Sequence, residues 1–416
     1  MSRSVAVVGA GLAGVTTAYE LAALGWRVQV FERCASVAEQ ASFASNALLA
    51  PFVPGLADAS PPAPPAFRLR RWRAARKPSD APKQLCTLSQ LGLARAAQLR
   101  RELGLDDEAA DGLLVALADA RRVTAAHTRL ADWQALGLQL QLIEAGEARL
   151  REPGLDSQAP FAAALAIAQG GVGNPRLFAQ QLRLQAQRLG AEFRFHTTVR
   201  RLQRDATGIT LRHEHTPPTE PPTRSAEREA GDTQPQALGA QEQRFDAVVL
   251  CNGLDALDLL DKRLRLHAHH EASITAPLRQ LEAHPDLGPK AAWADLATGI
   301  TITRIGQRVR VSGGATIGAP GSKPTPDFEA LHRALQHWFP GSVLHQQAQQ
   351  RSSRRAAAPD GLPLIGSTAQ PGVWLNLPLG GHGWGSACGS AQVLAQMITG
   401  QPPSTNISGL SPQRLT

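Results

Sequence analysis

The chain holds one tyrosine, two methionines and four cysteines in 416 residues. Cys34, Cys86, Cys251 and Cys388 are scattered with no C-x-x-C spacing, which argues against a zinc site and against a disulfide framework. No metal is expected. Long apolar runs are also missing: the best candidate, residues 161–168, falls far short of the roughly 20 residues that a membrane-spanning helix needs. Met1-Ser2-Arg3-Ser4 runs directly into an apolar strand and leaves no room for a cleavable leader, so a cytoplasmic location is expected.

Basic residues outnumber acidic ones by 43 to 35, a formal net charge of +8. Such a balance suits anionic partners, but the arginines that supply most of it are dispersed, which favours a generally basic surface. The exception is Phe67-Arg68-Leu69-Arg70-Arg71-Trp72-Arg73-Ala74-Ala75-Arg76-Lys77, which follows Pro61-Pro62-Ala63-Pro64-Pro65. It reads equally as a solvated face or as a peripheral contact with the inner membrane.

The first 32 residues are the most informative. Val5-Ala6-Val7-Val8 reads as a buried strand, Gly9-Ala10-Gly11-Leu12-Ala13-Gly14 as a glycine turn, 15–24 as a helix, and 27–32 as a second strand ending in Glu32. Strand, glycine turn, helix, strand and a distal acid form the dinucleotide-binding arrangement. Gly9 permits the tight turn, Gly11 lets the backbone approach a pyrophosphate, and Gly14 lets the helix pack on the strand. The helix N-terminus adds N–H groups and a positive dipole end. Glu32, next to Arg33, can accept hydrogen bonds from a ribose diol, which argues against a 2′-phosphate and for FAD or NAD. A fingerprint that starts at residue 5 favours FAD.

Apolar spacing predicts helices over 88–103 and 125–136, with a buried strand at 112–117 between them, a strand at 138–143 and a short helix at 145–150. Asn174-Pro175 supplies an N-cap and a first helical residue for a helix to about 189. Strands follow at 192–195, 208–212 and 245–253, then a hairpin at 299–303 and 307–312 and a helix at 331–339. Residues 216–243 have almost no large apolar side chains and are expected to be a disordered insertion. The length suits two domains in an α/β fold. A Rossmann-like FAD-binding domain is expected from the discontinuous segments 1–85, 150–255 and 345–416, with an inserted antiparallel-sheet α+β substrate domain from 86–149 and 256–344.

Residues 9–32, Ala41-Ser42-Phe43-Ala44-Ser45-Asn46-Ala47, 170–178, the hairpin 302–314, Ala358-Pro359-Asp360-Gly361-Leu362-Pro363-Leu364-Ile365-Gly366 and the tail 376–400 come in a telling order. Together they resemble the FAD-dependent D-amino-acid dehydrogenases of the glycine oxidase and D-amino-acid oxidase superfamily. The likeness is most specific at Gly383-Trp384-Gly385-Ser386-Ala387-Cys388-Gly389-Ser390 and at Ser408-Gly409-Leu410. It implies that Ser42, Asn46 and Ala47 lie beside the flavin pyrophosphate and ring, that Val199 holds the adenine by its backbone, and that Asn252 and Gly253 close a second turn under the cofactor. The loop Gly380, Gly381, His382, Gly383, Trp384 and Gly385 should end at a helix N-terminus that offsets negative charge at the flavin N1–C2=O locus. Arg355, five residues before Asp360, falls where the family pairs an arginine with the substrate carboxylate. His382 is the other expected catalytic residue.

The chain also departs from that pattern. The family's pocket tyrosines are absent: Tyr19 lies on the first helix, and the corresponding stretch reads His269-His270-Glu271-Ala272-Ser273-Ile274-Thr275. The family's Gly-His-Gly aligns with Pro378-Leu379-Gly380, ahead of His382. The implied reaction is hydride transfer from a D-amino acid or a related amine-bearing acid to flavin, giving an oxo acid and ammonia. A quinone or oxygen would take the electrons. The rival readings are a flavin oxidase that modifies the wobble uridine of tRNA and a non-catalytic flavin-binding protein. Nucleic acid is not the expected partner, since the chain carries no methyltransferase half and its tail resembles the dehydrogenases.

Overall fold

The computed structural model describes residues 3–56, 61–76, 79–205, 208–215, 238–260, 264–280, 287–377 and 383–415. Strand β1 (Ser4–Val8) is buried along its whole length, so it needs cover on both faces. It sits inside a six-stranded sheet ordered β19 (Leu364–Ser367), β20 (Val373–Leu377), β13 (Ala247–Leu250), β1, β2 (Arg27–Phe31) and β9 (Glu192–Arg194). All neighbours are parallel except the edge pair β19/β20. Side chains alternate across the sheet. Val5, Val7, Val28 and Val30 pack with helices α1 (Leu12–Ala23), α6 (Pro175–Arg188) and α8 (Gly383–Thr399), whereas Ala6, Val8 and Phe31 pack with Ile209, Leu211 and Phe245. Those last three residues belong to a small antiparallel sheet of β10 (Thr197–Asp205), β11 (Gly208–His215) and β12 (Leu238–Phe245).

The second large sheet has eight strands, ordered β18 (Gln349–Ala357), β14 (His267–Pro277), β17 (Arg308–Gly318), β16 (Ile300–Ile305), β15 (Ala292–Asp295), β5 (Leu113–Leu117), β7 (Ala163–Ile167) and β6 (Leu140–Glu144). It is antiparallel apart from the β15/β5 pair. One face carries Ile274, Trp293, Ile302, Val309 and Val311 against Leu331, Leu335 and Trp338 of α7 (Phe328–Trp338). Short strands β3 (Leu48–Leu49), β8 (Gly171–Val172) and β4 (Ala110–Asp111) join the two halves. The remaining helices are α2 (Pro65–Ala75), α3 (Ala81–Leu103), α4 (Ala120–Ala135) and α5 (Ala145–Arg151).

Local chemistry sets several boundaries. Asn174 Oδ1 accepts the Leu177 N–H at 3.2 Å with Pro175 following, as the sequence predicts. Asp119 caps α4 by accepting the Arg122 N–H at 2.8 Å, which starts that helix earlier than its apolar pattern does. The basic stretch forms α2, with Phe67 buried against His267 at 4.7 Å between ring centroids.

Three expectations need correction. Strand β10 was not anticipated, because its largely exposed face shows no apolar alternation. Residues 238–243, placed in the disordered insertion, are part of β12 and pair with β11, whose backbone supplies the partner that the side chains do not advertise. Residues 216–237 lie outside the described residues. Finally, β7 and β18 hydrogen-bond into the eight-stranded sheet although 150–255 and 345–416 were assigned to the FAD-binding segments. Sheet membership follows hydrogen-bonding partners, which distance along the chain does not reveal.

Candidate functional site

A cleft of about 470 Å³, within the size range of ligand pockets, opens at the carboxyl ends of β1, β2 and β13. The glycine turn forms its floor. Gly9 has φ +95°, and a Cβ there would lie 2.9 Å from Asn252 Cα. A Cβ on Gly14 would lie 1.8 Å from the Gly9 carbonyl oxygen, so this glycine is what lets α1 approach β1. Gly11 is different: a Cβ there meets only Ser42 Oγ, at 3.1 Å, on the cleft side. Gly9, Gly11, Leu12 and Ala13 line the cleft, while Ala10 and Gly14 stand behind them.

Glu32 is fixed at the end of β2, accepting the Ala10 N–H at 2.6 Å and the Cys34 N–H at 2.8 Å. A carboxylate has about four acceptor positions, so lone pairs remain for a diol. Arg33 pairs with Asp255 at 2.7 Å, and both line the cleft. Ser42 Oγ accepts the Leu12 N–H at 3.1 Å, tying the 41–47 loop to the start of α1. Ser42 and Asn46 form part of the wall, whereas Ala47 is buried behind it in a left-handed conformation, φ +61°. Val199, Asn252, Gly253, Gly383 and Trp384 also line the cleft, Asn252 directly against Gly9. Gly385 is buried, with its Cβ position 2.3 Å from the Ala50 carbonyl oxygen. Gly380, Gly381 and His382 lie outside the described residues.

Asn252 Oδ1, Asn376 Oδ1 and Trp384 Nε1 are buried without a hydrogen-bond partner among the described residues, and all three residues line this cleft. Buried polar atoms in native proteins are nearly always paired, so three orphans in one cleft mark a polar ligand. With the glycine floor and Glu32 they fit a flavin dinucleotide. The cleft thiols are poor nucleophiles: burial pushes Cys34 up to about 11 and Cys251 up to about 12. Among the described residues no cluster of three or more His, Cys, Asp or Glu could hold a metal.

Arg355 reaches the cleft from β18. Its Nη2 lies 2.8 Å from Glu271 Oε2 on β14. His269, directly opposite Arg355 in the strand register, has its pKa pushed down to about 3, by burial and then by the Arg355 charge, and is neutral at pH 7. Tyr19 is buried on α1, outside the cleft wall, so no aromatic hydroxyl serves the cleft.

Arg310 is the residue that sequence reasoning missed. Only 7% exposed, it donates through Nη1 to the carbonyls of Phe43 at 2.8 Å and Ser45 at 3.0 Å, and through Nε to Thr275 Oγ1 at 3.0 Å. Thr303 Oγ1 adds a bond to the Asn46 carbonyl at 3.1 Å. Two side chains of the eight-stranded sheet therefore pin the loop that supplies Ser45 and Asn46 to the cleft. No carboxylate pairs with Arg310 among the described residues; burial, then the charges of Arg308 and Arg351, lower its pKa to about 10, which leaves it cationic at neutral pH. The signal in the sequence was Arg308-Val309-Arg310-Val311-Ser312, an alternation that normally marks the polar side as solvent-facing.

Residues 4–397 match the family described as FAD dependent oxidoreductase. The chain is 30% identical to a D-amino acid dehydrogenase of Methylobacterium nodulans over 444 residues, covering 99% of this chain and 98% of that protein. It is 29% identical to one from Cereibacter sphaeroides over 448 residues, covering 99% and 95%. Among solved structures, glycine oxidase from Geobacillus kaustophilus shares the fold with a TM-score of 0.73 at 19% identity, covering 100% of this chain and 99% of that one. L-proline dehydrogenase from P. horikoshii does so with a TM-score of 0.74 at 16% identity, covering 99% and 97%. The glycine floor, the acid at the end of β2 and a match over almost the whole chain lead to one conclusion: this protein belongs to the FAD dependent oxidoreductase family, with FAD as its cofactor.

Proposed function

We propose that the protein oxidises the C–N bond of a D-amino acid or a related small amine-bearing acid, giving an oxo acid and ammonia. The observation that carries this reading is Arg355 in the cleft wall, a planar cation able to hold a carboxylate and thereby fix the Cα–H. Bound FAD supplies the hydride acceptor. Glu32 would take the ribose hydroxyls, Ser42 and Asn46 would face the pyrophosphate and ring, and Val199 would border the adenine; His382 lies outside the described residues and keeps only the role that the resemblance implies. The hydride leaves Cα, the neutral amine's proton passes to solvent, and the resulting imine hydrolyses. No protein base is required, which agrees with the weak basicity of His269, whose pKa is pushed down to about 3.

The electrons then pass to a quinone or to oxygen. Helix α2 supports a peripheral membrane contact in this reading, since Arg68, Leu69, Arg70, Arg71, Trp72 and Arg73 are all exposed on it. Among the described residues, no helix is long and apolar enough to cross a membrane. Anaerobic mixing of the flavin-loaded protein with D-amino acids, glycine, sarcosine and proline tests the reading. D-amino acids should bleach the flavin absorbance, whereas amines without a carboxylate should leave it nearly unchanged. Bleaching by no amino acid would refute it.

A further inference from the structure

The eight-stranded sheet has two unlike faces. Ile274, Val309, Val311 and Ile302 pack toward α7, so the residues that alternate with them on β14, β17 and β16 point the other way. On that side Thr303 and Arg310 hold the carbonyls of Phe43, Ser45 and Asn46, which makes it the side of the flavin cleft. Strand register carries this face outward: Ser312 lies opposite Ser273, Ser273 opposite Arg351, and Ser353 and Arg355 follow at alternate positions on β18. Every one of these side chains is polar. Ser312 and Ser353, only 1% and 8% exposed, have hydroxyls without a hydrogen-bond partner among the described residues, as does Ser45 in the cleft wall. Charge is uneven along β18. An acid, Glu271, stands 2.8 Å from Arg355. Arg351 is exposed, lies over the Phe43 ring with Cζ 4.3 Å from the centroid, and pairs with no acid among the described residues. Its charge reaches Arg310 and helps to lower that residue's pKa.

We propose that the substrate is an acidic D-amino acid such as D-glutamate, and that Arg351 is the specificity-determining residue that answers its side-chain carboxylate. This rests on the amino-acid reading given above, in which Arg355 holds the α-carboxylate. Arg351 and Arg355 point from one face of β18 four positions apart, a step of about 13 Å along a strand. That separation is too large for both to grip one carboxylate, and the two long arms converge on groups at opposite ends of a small dicarboxylate. The lining between them agrees. An apolar side chain would find no apolar partner on this face and would leave buried hydroxyls unpaired, which is costly. A carboxylate accepts from hydroxyl and guanidinium alike.

D-Glutamate and D-glutamine are nearly isosteric and differ in that charge. With the flavin-loaded protein, kcat/KM for D-glutamate should exceed that for D-glutamine at least about fivefold, a modest ratio because Arg351 is partly screened by solvent. Arg351→Gln should abolish the preference and leave flavin content and the turnover of D-alanine nearly unchanged. Arg351→Lys keeps a cation and should retain part of the preference. The lysine variant and the parent's own ratio still decide the matter if the glutamine variant loses its flavin. Where D-alanine reduces the flavin but the parent treats D-glutamate and D-glutamine alike, the proposal alone is overturned. A preference that survives in Arg351→Gln, or an equal loss for all three amino acids, overturns it as well. If none of the three reduces the parent's flavin, the amino-acid reading itself falls and takes this proposal with it.

Discussion

At the scale of single residues, the cleft separates glycines that serve the protein from one that serves the ligand. Gly14 is required by the Gly9 carbonyl oxygen and Gly9 by the Asn252 backbone, but Gly11 is close to nothing except the Ser42 hydroxyl. Gly11→Val should therefore leave a folded protein, judged by circular dichroism, that purifies with little flavin; full flavin content would remove the turn from the cofactor site. Arg310 acts at one remove, through the carbonyls of Phe43 and Ser45. Arg310→Gln should raise the dissociation constant of FAD at least about tenfold, equivalent to ~1.4 kcal/mol, with partial recovery in Arg310→Lys. Unchanged FAD affinity would show that the loop holds its place without the tether. His269 makes a pH prediction. Its folded pKa of about 3 lies below the ordinary histidine value of 6.5, so the unfolded chain binds the proton more readily between those limits. This contribution to stability is complete above about pH 6.5 and lost progressively as the pH falls toward 3. Thermal melting of His269→Asn should lose less on acidification than the parent; identical pH profiles would contradict the assignment.

At the scale of elements, legibility followed from where each segment buries its side chains. Strands β1 and β2 and helix α1 could be read because a fully buried strand is apolar throughout and a nucleotide turn needs glycine at fixed places. The cap and proline at Asn174-Pro175 made α6 readable for a similar reason. Strands β10 and β12 were hidden by exposed, charged sequences whose order comes from pairing with β11. The sequence also could not show that Glu271 and Arg355, 84 positions apart, meet, since the contact depends on the register of β14 and β18. The corrected limit of β12 bears on dissection of the insertion. Replacing residues 216–237, whose composition lacks large apolar side chains, with a short Gly-Ser turn should leave flavin content and turnover nearly unchanged. Extending the cut through Leu238–Phe245 removes a paired strand and should lower the melting temperature. A large loss from the shorter cut would show that the segment contributes to the site.

At the scale of the whole molecule, the two large sheets divide the work. The six-stranded sheet offers the ends of β1, β2 and β13 to the dinucleotide, and the eight-stranded sheet brings Arg355 to the cleft and holds its wall through Arg310 and Thr303. The central claim is that these meet at one reacting centre. It is tested most directly by the anaerobic rate of flavin reduction in Arg355→Lys, which keeps the charge and loses the planar fork. With normal flavin content, reduction by D-amino acids should slow at least about tenfold, or ~1.4 kcal/mol of lost transition-state stabilisation, while the slow reaction with amines lacking a carboxylate should hardly change. An equal loss for both classes, or no loss for either, would place Arg355 outside the site and contradict the account.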